Sequence, residues 1–200
     1  MLFPNSRNTQ LIGLWDEGIA LDKHTTSSEL TGYDVYGNPK FNNQYTDMGQ
    51  SLNSFKYRYN HNELEAIISL AKPYISDWIA PKNIDYVLPV PPTIPRVFQP
   101  AAEVAREIAS MIGAGFSDDI LIKVSPTQAK ALKDGDKQII EGTIYKTKKA
   151  TSEHDMLLVD DIYDTGTTLN ECVKVLREDP MIKKIYVLTL TKTRPSQWTL

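Results

Sequence analysis

Apolar residues follow two rhythms along this chain, and the change falls near Pro81. Before it the sequence is rich in Asn, Tyr, Gly, Ser and Thr. Residues 11–21 (LIGLWDEGIAL) predict a strand with a turn or bulge at a glycine. Residues 31–39 predict turns through Gly32, Gly37 and the Asn38-Pro39 pair. Residues 62–71 carry Leu64, Ile67, Ile68 and Ala71 at helical spacing, with Asn60 or Asn62 as a cap. Pro73 is expected to kink or end that helix, and Trp78 and Ile79 continue its apolar face.

The second part alternates strand-like and helix-like segments. Residues 84–90 (IDYVLPV) predict a short buried strand, and the prolines of 91–95 impose a stiff loop after it. Residues 99–112 predict a helix with one stripe of Ala101, Val104, Ala105, Ile108, Ala109 and Ile112, stopped by Gly113. Strands are expected at 120–124, 156–160 and 184–190, and an extended segment at 143–146. Between them, 125–140 is polar and rich in lysine. Thr167–Arg177 predicts a helix with Leu169, Cys172, Val173 and Leu176 facing inward. This order implies an α/β fold, a mostly parallel sheet covered by helices.

Size and charge narrow the function. The 200 residues fit one domain with a small appendage. A formal net charge of −3 does not favour nucleic acid as a direct ligand. Anionic small molecules remain open, because backbone N–H groups bind phosphate without net positive charge. Cys172 is the single cysteine, which excludes an intrachain disulfide and a cysteine-rich zinc site. It lies among apolar neighbours and reads as a buried thiol. His24, His61 and His154 are isolated and lack metal-ligand spacing. The first residues carry no secretory h-region, and no run of ~18 apolar residues exists, so a cytoplasmic setting is expected.

The chemistry concentrates in 157–169 (LLVDDIYDTGTTL). An apolar strand ends in two carboxylates, Asp160 and Asp161. A turn, Thr165-Gly166-Thr167-Thr168, then opens a helix. Ligands of open α/β sheets sit at the carboxyl ends of strands. N–H groups at a helix N-terminus favour a dianionic phosphate, and Gly166 allows close backbone approach. Paired acids beside a phosphate would repel it unless they accept sugar hydroxyl protons or neutralise a bridging divalent cation. The pattern therefore points to a sugar phosphate.

This segment resembles the ribose-phosphate motif of type I phosphoribosyltransferases: four hydrophobic residues, two acids, then a loop of Thr and Gly. Residues 87–96 (VLPVPPTIPR) and 54–57 (SFKY) resemble segments of the competence-related, ComF-like branch. So do Thr127-Gln128, Leu132, Gly142 and 187–194. The branch's four-cysteine zinc module is excluded here by the cysteine count. The resemblance implies a type I phosphoribosyltransferase-like sheet flanked by helices. It implies residues 54–200 as the core and 1–53 as a small β-rich hood or appendage. It also implies binding of phosphoribosyl pyrophosphate with Mg²⁺, transfer of phosphoribose to or from a nitrogenous base, and a homodimer. The 5-phosphate is expected at Asp164, Thr165, Gly166, Thr167 and Thr168. The ribose hydroxyls, and a cation held through the ligand, are expected at Asp160 and Asp161. Pyrophosphate is expected at Pro91, Pro92, Thr93 and Arg96. Catalytic roles fall to Asp164, Arg96 and Lys130, the last in a mobile hood with Lys133 and Lys137. In 6-oxopurine phosphoribosyltransferases an aspartate at the place of Asp164 serves as base near the purine. Asp164 therefore either faces the acceptor or caps the following helix. Trp15, Tyr33 and Tyr36 either line the acceptor pocket or pack a small β-layer on the core. The alternative function is a non-catalytic sensor of phosphoribosyl pyrophosphate or nucleotide, linked in ComF-like proteins to DNA uptake.

Overall fold

The computed structural model describes residues 8–58, 62–92, 99–124 and 143–193. The strands are β1 Thr9–Gln10, β2 Glu17–Lys23, β3 Thr25–Tyr33, β4 Pro39–Tyr45, β5 Tyr86–Pro89, β6 Gly115–Phe116, β7 Leu121–Lys123, β8 Ile144–Lys146, β9 His154–Tyr163 and β10 Ile182–Lys192. The helices are α1 Asp47–Arg58, α2 Asn62–Tyr74, α3 Pro100–Ile112 and α4 Thr167–Arg177.

Among the described residues, one sheet runs β1-β2-β10-β9-β5-β6. Its last five strands are parallel and β1 is antiparallel at the edge. The period-2 alternation of side chains divides the core into two layers. Leu157 and Val159 of β9, with Tyr186, Leu188 and Leu190 of β10, pack against α1, α2 and α3. Met156, Leu158, Ile185 and Val187 face α4 and the β7–β8 pair. Both central strands are buried on both faces, which is why they read as continuous apolar runs. This is the mostly parallel, helix-flanked sheet expected of the type I phosphoribosyltransferase fold.

Several local expectations change. Residues 120–124 and 143–146 do not join the parallel sheet; β7 and β8 pair with each other, antiparallel. The sheet edge is instead the two-residue β6, held beside β5 after Gly113 ends α3 in a left-handed turn. Residues 11–16 form a loop before β2 rather than a bulged strand, because Trp15 folds back over it. The Trp15 indole N–H donates to the Leu11 carbonyl at 3.1 Å, and the ring leaves no room for a Cβ at Gly13 or Gly18. The regular α-helix gives way next to Pro73, as expected. α2 runs one residue past it and then widens into a π-turn at Ile75–Ile79, whose buried residues extend the apolar face. Strand β9 continues through both acids to Tyr163, beyond the expected stop at Asp160.

The β3–β4 hairpin stands apart from the sheet. Its tip is closed by Asp34, whose Oδ1 accepts the N–H groups of Tyr36 and Asn38, each at 2.8 Å. Tyr33 and Tyr36 at this tip are exposed. Trp15 is buried in the α4-side core, edge-on to Tyr163. Cys172 is buried, and burial pushes its thiol up to about 12. Among the described residues no helix is long and apolar enough to cross a membrane.

Candidate active site

The site forms where β9 meets α4. Because β9 extends to Tyr163, the turn proper is only Asp164, Thr165 and Gly166. Gly166 takes φ 78°, a left-handed conformation, and occupies the N-cap of α4. A Cβ there would stand 2.7 Å from the Tyr163 hydroxyl. The glycine is therefore required both by the turn and by the tyrosine beneath it. The Thr165 and Thr167 hydroxyls lie 2.9 Å apart. The first intrahelical bond of α4 runs from the Asn170 N–H to the Gly166 carbonyl. The N–H groups of Thr168 and Leu169, which precede it, are not used by the helix ladder. They line a concavity of about 90 Å³ together with Asp160, Ile162 and the turn residues.

Alternation along β9 sends the two carboxylates different ways. Asp160 reaches the phosphate cradle. Asp161 turns toward α1, where Lys56 Nζ stands 2.6 Å from Oδ2. Both also line a larger cleft of about 460 Å³, shared with Lys56, Pro91, Pro92 and Asp118. Burial, and then the charge of Asp161, push the Asp160 carboxyl up to about 7; the N–H of Asp161 and Lys56 oppose this. That N–H donates to Asp160 Oδ1 at 2.8 Å.

The first strands brace this arrangement. The Thr46 hydroxyl donates to the Lys23 carbonyl at 2.7 Å and accepts the Gly49 N–H at 3.0 Å, which caps the start of α1. A Cβ on Gly49 would stand 2.0 Å from the His24 carbonyl, so α1 presses directly on the end of β2. His24 Nδ1 lies 3.1 Å from Thr191 Oγ1. Burial, then the charge of Lys56, hold this imidazole below its usual range, with Asp161 opposing. On the other side, the Thr193 hydroxyl donates to Asp164 Oδ1 at 2.8 Å. The N-cap of α4 is Gly166, which has no side chain to cap with.

A parallel sheet with a small concavity at a helix N-terminus and paired carboxylates at one strand end suits a sugar phosphate. The family model described as the phosphoribosyl transferase domain matches residues 56–198. The chain belongs to this phosphoribosyltransferase family. No curated protein sequence matches it. Among solved structures it is similar to adenine phosphoribosyltransferase from Saccharomyces cerevisiae, complexed with D-2,5-dideoxy-2,5-imino-altritol 1,6-bisphosphate and adenine. That likeness has 12% identity and a TM-score of 0.46, covering 84% of this chain and 92% of the other. Adenine phosphoribosyltransferase from Leishmania tarentolae gives 13% identity and a TM-score of 0.42, covering 88% and 91%. A hypoxanthine phosphoribosyltransferase from Staphylococcus aureus gives 16% and 0.40, covering 68% and 74%. The family assignment rests on the domain match, not on these looser likenesses.

Within this phosphoribosyltransferase, the structure gathers Asp160, Asp161, Asp164, Thr165, Gly166, Thr167 and Thr168 at one strand end, with Pro91 and Pro92 across the larger cleft. Thr93, Arg96, Lys130, Lys133 and Lys137 lie outside the described residues. Lys56, Thr193 and His24 are the neighbours that motif reading left without a role. SFKY marked Lys56 only as part of a resemblance, and nothing local ties Thr193 to Asp164.

Proposed function

We propose that the protein transfers phosphoribose between pyrophosphate and a nitrogenous base in a Mg²⁺-dependent reaction. The observation that carries this is the cradle at residues 164–168, set beside the carboxylates of Asp160 and Asp161 in a chain of this family. The 5-phosphate takes the α4 N-terminus, held by N–H groups and threonine hydroxyls. Asp160 and Asp161 accept hydrogen bonds from the ribose hydroxyls and so fix the sugar ring. The anomeric C–O bond breaks, its electron pair stays on pyrophosphate, and a ring nitrogen of the base bonds to the anomeric carbon. The proton of that nitrogen passes to Asp164, which Thr193 holds at the rim. Arg96 is the candidate partner of pyrophosphate and Lys130 of the hood.

The residues fit a hard divalent cation held partly by the substrate. Two adjacent carboxylates offer oxygen donors, and burial beside Asp161 makes a cation welcome at Asp160. Among the described residues no set of three or more His, Cys, Asp or Glu side chains gathers around a metal position, so substrate phosphates and water would complete the shell. When bound, Mg²⁺ supplies charge neutralisation for the leaving group.

The SFKY and VPVP segments support the ComF-like branch, since Lys56 of the first and Pro91 of the second share one cleft. With that reading go a hood or appendage within residues 1–53, whose β2 also pairs with β10 in the central sheet, a core at 54–200, a homodimer and a cytoplasmic setting. The test is pyrophosphate release from labelled phosphoribosyl pyrophosphate across a panel of bases with Mg²⁺. Release with at least one base supports transfer. Binding without release for any base assigns a sensor instead, and absence of binding removes both readings.

A further inference from the structure

The larger cleft has an unusual charge balance for a pyrophosphate site. Among the described residues that line it, Asp118, Asp160 and Asp161 are acidic, and Lys56 is the only cation. Lys56 comes from α1, outside both the phosphate turn and the loop after β5. Its ammonium is 2.6 Å from Asp161 Oδ2, and the two side chains are 16% and 21% exposed, so the pair is partly covered yet open to the cleft. α1 is a firm platform for it: Phe55 and Leu52 are fully buried, and the helix start is pinned to β2 through Thr46 and Gly49.

We propose that Lys56 is a catalytic residue that exchanges Asp161 for the pyrophosphate leaving group when substrate binds. This rests on the phosphoribosyl transfer reading above. The exchange follows from what each partner needs. In the free protein Lys56 offsets the charge of Asp161, the neighbour of Asp160. When ribose hydroxyls donate to Asp161, that carboxylate has new partners, and the ammonium is free to turn on its four-carbon stem. Pyrophosphate then gains one negative charge as the anomeric C–O electron pair moves onto its oxygen. Once turned, the ammonium beside that oxygen stabilises the charge as it develops, and no proton needs to move. Pro91 and Pro92, which begin the loop after β5, stand on the same cleft, so leaving group and ammonium meet there.

The experiment compares three probes by calorimetry, each with Mg²⁺: ribose 5-phosphate, inorganic pyrophosphate and phosphoribosyl pyrophosphate. Lys56→Met is expected to weaken the two pyrophosphate-bearing ligands by about tenfold or more and ribose 5-phosphate by about twofold at most. Turnover should fall by about 10²–10³-fold, as for loss of one preorganised donor to a developing anion. Lys56→Arg keeps the charge and should restore pyrophosphate binding. Equal weakening of ribose 5-phosphate and pyrophosphate would overturn the proposal, because that is the signature of a residue that only positions Asp161. Unchanged binding of pyrophosphate by a folded Lys56→Met would overturn it as well, while the transfer reading stands. If the wild-type protein bound neither phosphoribosyl pyrophosphate nor ribose 5-phosphate, the transfer reading itself would fall, and this proposal with it.

Discussion

Thr193 holds Asp164: the hydroxyl at the end of β10 donates to the carboxylate that opens the phosphate turn, at 2.8 Å. The bond joins two strand ends, because the Thr193 N–H also donates to the Tyr163 carbonyl. If Asp164 takes the acceptor proton, Asp164→Asn lowers kcat by about 10²-fold. Thr193→Val lowers it by about tenfold, with KM for phosphoribosyl pyrophosphate nearly unchanged. The double variant should be no slower than Asp164→Asn alone, since both changes act through one carboxylate. Steady-state kinetics on the three variants decides it, and full activity in Asp164→Asn removes the base assignment.

Gly166→Ala should injure both stability and phosphate binding. The residue sits at φ 78°, and the added Cβ would meet the Tyr163 hydroxyl at 2.7 Å. A cost of about 1–2 kcal/mol is expected from the backbone conformation alone. Relief of the clash moves the turn, so affinity for ribose 5-phosphate falls as well. Thermal unfolding and calorimetry of the same sample report the two effects separately.

Asp160 gives the free protein a pH dependence of unusual sign. Its carboxyl is pushed up to about 7 by burial and by the charge of Asp161, from an ordinary value of 3.8. Between those values the folded protein binds more protons than the unfolded chain, so stability falls as pH rises through this window. Below the window both states are protonated, and above it both are ionised and the penalty is complete. The midpoint of thermal unfolding should therefore drop from pH 5 to pH 8, and Asp160→Asn should flatten the slope. An identical slope in the variant would assign the effect elsewhere.

Asp179 anchors the β7–β8 pair to the far end of α4. Its carboxylate pairs with Lys146 of β8 and accepts the N–H groups of Ala150 at 2.9 Å and Met181 at 3.2 Å. The Lys146 contact first, then these N–H groups, hold the carboxyl down at about 2. The stability it contributes is present above the ordinary carboxylate range and is lost progressively as pH falls from about 3.8 through about 2. Asp179→Ala should leave the parallel sheet intact but loosen the hairpin. Amide hydrogen exchange at neutral pH would then be faster in β7 and β8 than in the wild type. Equal exchange rates would show that apolar packing of Leu121 and Ile144 suffices.

Much of this was legible because it is local. The stripe Leu169, Cys172, Val173 and Leu176 specified α4 with its observed bounds, and Gly113 marked the end of α3. The doublet Asp160-Asp161 after an apolar run located the candidate site. What escaped depends on partners distant in the chain. Residues of β7 and β8 have strand character, but nothing in them says that they pair with each other and not with the sheet. β6 is too short to leave a pattern. The expected strand stops at Asp160, short of Tyr163, because the strand partners of Tyr163, Lys192 on β10 among them, are remote. Lys56 and Thr193 matter only through side chains that the fold carries to them.

The pairing of β2 with β10 sets a timetable for the chain as it is made. Asp16, just before β2, accepts the Ile185 N–H of β10, and the two are 169 residues apart. At a synthesis rate of roughly 5–20 residues per second, β2 waits on the order of 10–30 s for its parallel partner. Throughout that interval its five buried positions, Gly18 to Asp22, face water or a chaperone. An apolar change at the polar ends of this strand, Glu17 or Lys23, would therefore cost soluble yield during synthesis more than stability afterwards.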